Sequence, residues 1–313
     1  MRSYLITVFL ALVGLFHLNG QSTKYLKNEA RLLVDNDAFT LNFFKDQYYT
    51  SGIYPGFRYV HDTTAHRKVI HGFKINHRMY TPKKISWRYE QLFDRPYAGQ
   101  LSASFSSEYY FKSGKYLQVE LEFGWMGPAT KIGQMHRYWH KIWHMGLPKG
   151  WKYQINDSPI ATLYLKYGHS VYSNNRLEIL SESYLTGGTS NTWARQEITF
   201  RFGRFNSIDK SAYFAGQLGR VKKLLPIPEL NEIYIFYAPG FEYVFYNATI
   251  EGNLIGESSP FVKVAVRNVV QHKYGMMMSW PSFDFGFTGY IRSKETTEAD
   301  GHYYVGVQFN QRF

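Results

Sequence analysis

The sequence contains no cysteine. Disulfide bonds, thiolate metal sites and a cysteine nucleophile are therefore excluded. Beyond the first twenty residues there is no run of eighteen apolar residues, which excludes membrane-spanning helices from that part of the chain. No internal repeat, low-complexity tract or flexible linker divides the sequence, so we expect a single domain over residues 21–313.

The first twenty residues have the three parts of a secretory signal peptide. Arg2 is positively charged, the apolar run LITVFLALVGLF extends from Leu5 to Phe16, and the small residue Gly20 precedes Gln21. The apolar run is too short to cross a bilayer, and no stop-transfer pattern follows it. We therefore predict that residues 1–20 are a leader cleaved after Gly20, and that the protein is exported.

The composition is aromatic and basic. Aromatic residues make up 19% of the chain, with 27 Tyr and 24 Phe, and the formal net charge is +12. The mean hydropathy is −0.36. Because an exported protein seldom meets nucleic acid, the basic balance indicates phosphate-bearing lipids or another polyanionic surface as a partner. The composition leaves two fold classes, a soluble β-sandwich and an outer-membrane β-barrel with aromatic girdles.

Alternating segments distinguish these two classes. Segment 115–127, KYLQVELEFGWMG, places Leu117, Val119, Leu121, Phe123 and Trp125 opposite Gln118, Glu120, Glu122 and Gly124. Segment 191–205 places Ala194, Ile198, Phe200 and Phe202 opposite Arg195, Glu197, Arg201 and Gly203. Charged residues of both signs on one face suit a polar lumen better than a sandwich core. The final segment also alternates, and its terminal Phe313 resembles the end of bacterial outer-membrane barrels.

We therefore predict an all-β fold, a transmembrane antiparallel β-barrel of about 12 strands, at roughly 22 to 26 residues per strand and loop. In bacterial barrels of this kind, closure requires an even number of strands. A barrel of this size is narrow, so we expect side chains to fill most of its lumen.

One segment breaks the alternation. Residues 127–151 are bounded by glycine and proline, and between them Met135, Trp139, Ile142 and Trp143 recur at helical spacing. This pattern predicts a short amphipathic helix, at about 130–146, in an extracellular loop at the outer rim of the barrel.

The same helix carries His136, His140 and His144, spaced so that they lie on one side. Three interpretations are open at this point. The histidines could form a solvated or interfacial polar stripe. They could bind zinc, although no nearby acidic residue completes a familiar motif. One of them could be a catalytic base that activates water.

Four motifs follow one another along the chain: DNDAF with DQYYTSG (35–52), MYTP (79–82), FDRPYAG (93–99) and GPATKIGQMHRYWHKI (127–142). Together they resemble the LpxR-type lipid A 3′-O-deacylases, a family of outer-membrane barrel enzymes. The resemblance implies a monomeric, calcium-dependent carboxylic ester hydrolase. Its substrate would be an ester-linked acyl or acyloxyacyl group on the lipid A part of lipopolysaccharide.

Carried over position by position, the resemblance implies that His140 is the general base. Asn36 and Asp37 would bind calcium and form the oxyanion pocket, which Thr50 would complete from the neighbouring strand. Hard oxygen ligands suit calcium, and a cation stabilises an oxyanion. Because neighbouring strand residues point to opposite sides, Asn36 and Asp37 can share a site only at a bulge or a strand end.

Some positions depart from the family pattern. Gln134 and His136 stand where Glu and Gln are expected, and Gly146 stands where some members carry an acidic residue. Lys83 and Lys84 follow MYTP and could bind a substrate phosphate, or they could be exposed loop lysines. FDRPYAG matches the family, but its residues suggest no chemical role.

Three alternative functions remain open at this stage. The first is a non-enzymatic outer-membrane barrel that binds lipid or forms a narrow channel. The second is an esterase that acts on phospholipid. The third is a zinc hydrolase, which requires His136, His140 and His144 to converge on one point.

Overall fold

The computed structural model describes residues 26–40, 46–219 and 230–313, and the predicted signal peptide lies outside these residues. The described chain forms a closed barrel of twelve antiparallel strands, and β1 closes the barrel against β12. The prediction of an all-β antiparallel barrel is confirmed. The strands are β1 (Asn28–Asn36), β2 (Tyr48–Thr63), β3 (Arg67–Thr81), β4 (Ala98–Phe111), β5 (Lys115–Met126), β6 (Ser158–Ser173), β7 (Leu177–Gly188), β8 (Asn191–Arg204), β9 (Glu232–Asn247), β10 (Asn268–Ser279), β11 (Phe283–Arg292) and β12 (His302–Arg312).

In the part of the chain that the structure describes, two short α-helices lie in the connections, α1 (Ile132–Ile142) and α2 (Ala248–Glu251). α1 falls within the segment predicted to be helical. Short 3₁₀ turns cover Asp37–Phe39, Glu90–Leu92, Pro128–Thr130, Trp151–Tyr153 and Ile208–Lys210. Among the described residues, neither α-helix has the length and apolar character needed to span a bilayer.

The alternation of the strands separates the outer wall from the lumen. On β5, Leu121, Phe123 and Trp125 are exposed on the outside, whereas Glu120 and Glu122 are buried inside. The buried charges form ion pairs across the lumen, such as Arg78 with Glu122, whose nearest nitrogen and oxygen are 2.6 Å apart. Such pairing offsets the cost of taking both charges out of water.

The two ends of the barrel differ in the length of their connections. At one end, residues 64–66, 112–114, 174–176 and 280–282 form turns of three residues each. At the other end lie the long connections 37–47, 82–97, 127–157, 248–267 and 293–301. Barrels of this class have short periplasmic turns and long extracellular loops, so α1 lies at the extracellular rim.

Part of the connection between β8 and β9, residues 209–218, lies in the lumen at the short-turn end. Lys68 Nζ donates hydrogen bonds to the carbonyls of Asp209, Gly216 and Leu218, at 2.5, 2.5 and 2.8 Å. Arg58 donates to the carbonyl of Ala215 at 3.0 Å. Because lumen side chains bind the backbone of residues 209–218, this part of the chain occupies the interior of the barrel.

Candidate functional site

α1 lies against the rim of the barrel at the start of β4. It buries Ile132, Gly133, His136 and His140 and exposes its other residues. The contact is close at Gly99, where an added Cβ would lie only 2.8 Å from Ile132 Cβ. The last glycine of FDRPYAG therefore allows the helix to approach the strand, and the helical spacing turns His136 and His140 toward the barrel.

The ring of His136 is oriented by Trp151. The indole Nε1 donates a hydrogen bond to His136 Nδ1, and the two atoms are 3.1 Å apart. An indole nitrogen only donates, so Nδ1 accepts and the proton of the neutral imidazole lies on Nε2. Burial lowers the pKa of His136, which keeps the ring neutral.

The ring of His140 is oriented in the opposite sense. Its Nδ1 lies 2.6 Å from the carbonyl oxygen of Gly146. A carbonyl only accepts, so Nδ1 carries a proton and Nε2 is the basic nitrogen of neutral His140. The orienting group at position 146 is thus a backbone carbonyl, where some relatives are expected to carry an acidic side chain.

Asp46 contacts both His136 and His140. Its Oδ2 atom lies 2.8 Å from His140 Nε2 and 3.2 Å from His136 Nε2. Burial would raise the pKa of Asp46, but hydrogen bonds from both imidazoles outweigh burial and lower it. Burial would likewise lower the pKa of His140, but the hydrogen bond and charge of Asp46 raise it. Asp46 begins the motif DQYYTSG, but its sequence context alone does not predict a role for it.

The same three residues bring potential metal ligands together, with donor atoms within 4.8 Å of one another. The hydrogen bond from Trp151 opposes this use, because it keeps a proton on the His136 nitrogen that would have to bind the metal. The zinc site left open as an alternative requires His144 to join His136 and His140, but α1 ends at Ile142 and His144 lies exposed beyond it. We define Asp46, His136 and His140 as the rim cluster.

Asn36 and Asp37 lie where β1 ends, as their proposed roles require. Asn36 Oδ1 caps the following 3₁₀ turn by accepting a hydrogen bond from the Ala38 amide at 2.7 Å. Asp37 Oδ2 accepts from the amide of Gln47 at 2.8 Å, which connects Asp37 to the residue after Asp46. Asp37 Oδ1 is buried and accepts no hydrogen bond from the described residues. Burial, and then the negative charge of Asp46, raise the pKa of Asp37 well above its usual range.

The other predicted site residues contact partners outside the rim cluster. Thr50 occupies a bulge in the pairing of β2 with β3, and its hydroxyl lies 2.8 Å from that of Thr81. Lys83 is exposed and its Nζ contacts Asp300 at 2.5 Å. Lys84 is exposed and its Nζ lies 5.8 Å from the centre of the Trp87 ring.

Residues of the motif FDRPYAG (93–99) contact the segments around the rim cluster. Asp94 accepts hydrogen bonds from the Tyr48 hydroxyl at 2.8 Å and from the Lys83 amide at 3.0 Å. Tyr48 is buried in the left-handed conformation with φ of 61°, so Asp94 fixes a turn two residues after Asp46. The Tyr97 ring packs against Trp151 with 4.9 Å between ring centres. Arg95, the neighbour of Asp94, pairs with Glu295 at 2.9 Å.

The fold and this geometry define the class of protein, a twelve-stranded outer-membrane barrel with a polar histidine cluster under a helix at its extracellular rim. The family model described as Outer membrane protein LpxR matches residues 5–313, and the chain belongs to that family. A comparison with curated proteins finds no match.

One solved structure supports the fold. LpxR from Salmonella typhimurium superposes with a TM-score of 0.73 at 17% identity, covering 91% of this chain and 100% of that one. The β domain of the Bordetella autotransporter BrkA gives a TM-score of 0.48 at 11% identity, covering 92% of this chain and 99% of that one. The first of these similarities shows a shared barrel architecture.

Proposed function

We propose that this protein hydrolyses an ester-linked acyl or acyloxyacyl group of the lipid A part of lipopolysaccharide, at the extracellular rim of the barrel. The observation that carries the proposal is the orientation of His140. Its Nδ1 is held by the Gly146 carbonyl, and its basic Nε2 faces the carboxylate of Asp46. A histidine held in this way can act as a general base on water.

The protonation of His140 changes during the proposed reaction. His140 Nε2 lies 2.8 Å from Asp46 Oδ2 and 3.0 Å from His136 Nε2. After His140 removes a proton from water, its imidazolium lies beside the Asp46 carboxylate. Asp46 stabilises this cation, and His140 then returns the proton to the leaving alkoxide. His136 remains neutral and donates to Asp46 through Nε2.

Water can reach this pair from the side of Asp46. The side chain of Asp46 is 17% exposed, whereas those of His136 and His140 are 2% and 5% exposed. We therefore place the attacking water beside Asp46, with the ester carbonyl beyond it. Neutral His140 removes the proton once the Asp46 carboxylate turns aside to admit that water.

The chemistry of Asp37 and Asn36 suits a calcium ion. The open Oδ1 of Asp37 is a buried, hard carboxylate oxygen, and a cation next to it would relieve the repulsion between Asp37 and Asp46. Asp37, with Asn36 beside it, would hold the ion. When bound, calcium would supply a positive charge that stabilises the oxyanion of the tetrahedral intermediate.

A role in substrate binding is less well supported for the exposed lysines. Lys83 is already paired with Asp300, and both side chains are partly exposed, so a substrate phosphate would compete for Lys83. Exposed pairs of this kind contribute little energy, so such an exchange is feasible. Lys84 lies beside Lys83 and is exposed. We propose both as phosphate contacts of secondary importance.

Two alternatives are weighed against this proposal. A narrow channel is disfavoured because residues 209–218 occupy the lumen at the short-turn end. An esterase acting on phospholipid would use the same base and the same cation. The substrate therefore has to be decided by experiment.

The test is mass spectrometry of lipid A and phospholipid from membranes incubated with the purified barrel, with calcium or with a chelator. His140→Ala is the active-site variant, and His144→Ala is the matched control because His144 is exposed beyond α1. We expect loss of one defined acyl mass from lipid A that needs calcium and His140 and does not need His144. Acyl loss from phospholipid alone would identify the second alternative. Unchanged lipids with a folded barrel would overturn the proposal.

A further inference from the structure

The outward side of α1 is apolar although no described part of the protein covers it. Met135, Tyr138, Trp139 and Ile142 follow the spacing i, i+3, i+4 and i+7, which places them on one face. All four are exposed, and Tyr138 is 68% exposed. In a helix at the surface of a globular protein, the apolar face usually packs inward. In α1 the buried face instead carries His136 and His140.

This apolar face continues the outer wall of the barrel. Leu101 on β4 and Phe123 and Trp125 on β5 are exposed on the outside of the neighbouring strands. The two strands pair at Leu101 and Trp125, close to the extracellular end of β5. The chain passes from Trp125 through a single 3₁₀ turn into α1. The wall that contacts lipid is therefore continuous in sequence with the exposed face of the helix.

A basic stripe lies beside the apolar face. Arg137 and Lys141 are one turn apart and both are exposed. Long basic side chains on such a helix extend toward lipid phosphates while their neighbours enter the acyl region. Their charge is complementary to an anionic lipid surface.

We infer that α1 is an interfacial helix that lies in the outer leaflet. Met135, Tyr138, Trp139 and Ile142 contact acyl chains, and Arg137 and Lys141 contact phosphates. An interfacial helix places its apolar side about 5–10 Å into the boundary between headgroups and acyl chains. The rim cluster on the opposite side of α1 would then lie at the depth where lipid ester bonds occur. The inference rests on the outer-membrane fold and does not require the proposed reaction.

The absence of cysteine allows a direct test with single-cysteine variants. Tyr138→Cys carries an environment-sensitive fluorophore, and the barrel is reconstituted in vesicles of phosphatidylcholine and phosphatidylglycerol with doxyl-labelled phosphatidylcholine as quencher. Leu254→Cys is the matched control, because Leu254 is 64% exposed in another extracellular connection. Phe123→Cys, on the outer wall, reports full contact with lipid. Ile142→Cys provides a second position on α1 if one labelled variant fails to fold.

We expect the fluorophore at Tyr138→Cys to lose most of its emission to the lipid quencher, as at Phe123→Cys, while Leu254→Cys keeps most of its emission. A water-soluble quencher should give the opposite order. A folded barrel in which both α1 positions behave like Leu254→Cys would overturn the inference. Folding is checked by the shift in electrophoretic mobility on heating.

Discussion

The lumen near the short-turn end and the extracellular rim both bury charged side chains, but they pair them differently. In the lumen, Arg58 contacts Glu29 at 2.8 Å and Glu108 at 2.6 Å. At the rim, Asp46 contacts two imidazoles, and Asp37 keeps one buried oxygen without a hydrogen bond from the described residues. A guanidinium stays charged at any physiological pH, whereas an imidazole titrates near neutrality. Buried charge alone therefore does not mark a functional site, and a buried group that titrates near neutrality is the better indicator.

The largest expected change in stability comes from the lumen. Arg58→Met leaves Glu108 without its ion-pair partner and removes the hydrogen bond to the Ala215 carbonyl. Breaking a buried ion pair in this way costs about 3–5 kcal/mol of unfolding free energy. We expect unfolding at clearly lower urea concentration in detergent, with unchanged activity per folded molecule. Lys112→Met, which breaks the more exposed pair with Asp209, is the control and should be nearly neutral. Equal stability of the two variants would contradict the assignment of Arg58 to the structural network.

The next largest effect is expected on the calcium concentration that activity requires. Asp37→Asn keeps the shape of the side chain but removes its charge, and calcium affinity depends on the charge of the ligands. We expect the calcium concentration for half-maximal activity to rise about tenfold or more, with partial recovery at high calcium. Asp35→Asn is the control, because Asp35 is equally buried but accepts from Tyr49 in the barrel wall. An unchanged calcium requirement in Asp37→Asn would remove Asp37 from the ion site.

A smaller effect on activity is expected when the hydrogen bond that orients His136 is removed. Trp151→Phe keeps an aromatic ring against Tyr97 but removes the indole donor to His136 Nδ1. Losing one hydrogen bond of this kind costs about 1 kcal/mol, so we expect kcat to fall several-fold with little change in KM. Steady-state kinetics on lipid A in mixed micelles measures both constants. A rise in KM at unchanged kcat would show that Trp151 acts through substrate binding instead.

The smallest effect is expected at the exposed lysine. Lys83→Gln removes the contact with Asp300 and one positive charge near the rim. Exposed ion pairs contribute about 0–1 kcal/mol, so the barrel should remain equally stable and KM should rise only slightly. Raising the ionic strength should reduce the difference between this variant and the wild type. A loss of kcat as large as that expected for His140→Ala would place Lys83 in the catalytic site.

Sequence reasoning predicted the barrel because alternation is a local signal. The faces of segments 115–127 and 191–205 follow directly from the two-residue period of a strand. Helical periodicity in the same way placed His136 and His140 on one side of α1. These features depend only on neighbouring residues.

The contacts that complete the site could not be predicted in that way. Asp46 lies about ninety residues from the histidines, and only the closure of the barrel and the close approach of α1 at Gly99 bring them together. The capping role of Asn36 was also not predicted, although its side-chain oxygen accepts a hydrogen bond from the turn that follows it. Thr50 was assigned by resemblance, and its pairing with Thr81 depends on a bulge that the sequence does not display.

The central claim is that Asp46 and His140 form a titrating pair that activates water. Asp46 raises the pKa of His140 above its ordinary value of 6.5, and only neutral His140 can act as a base. Activity should therefore rise with pH through a midpoint above 6.5. Asp46→Asn removes the charge that stabilises the imidazolium while the burial of His140 remains.

The most direct measurement is thus the pH dependence of kcat/KM for lipid A, compared between the wild type and Asp46→Asn. We predict that the midpoint moves to lower pH in the variant and that the maximal rate falls about a hundredfold, in the range of lost acid–base catalysis. His144→Ala should leave the profile unchanged. An identical midpoint in Asp46→Asn and the wild type would contradict the account, because His140 would then titrate independently of the carboxylate that contacts it.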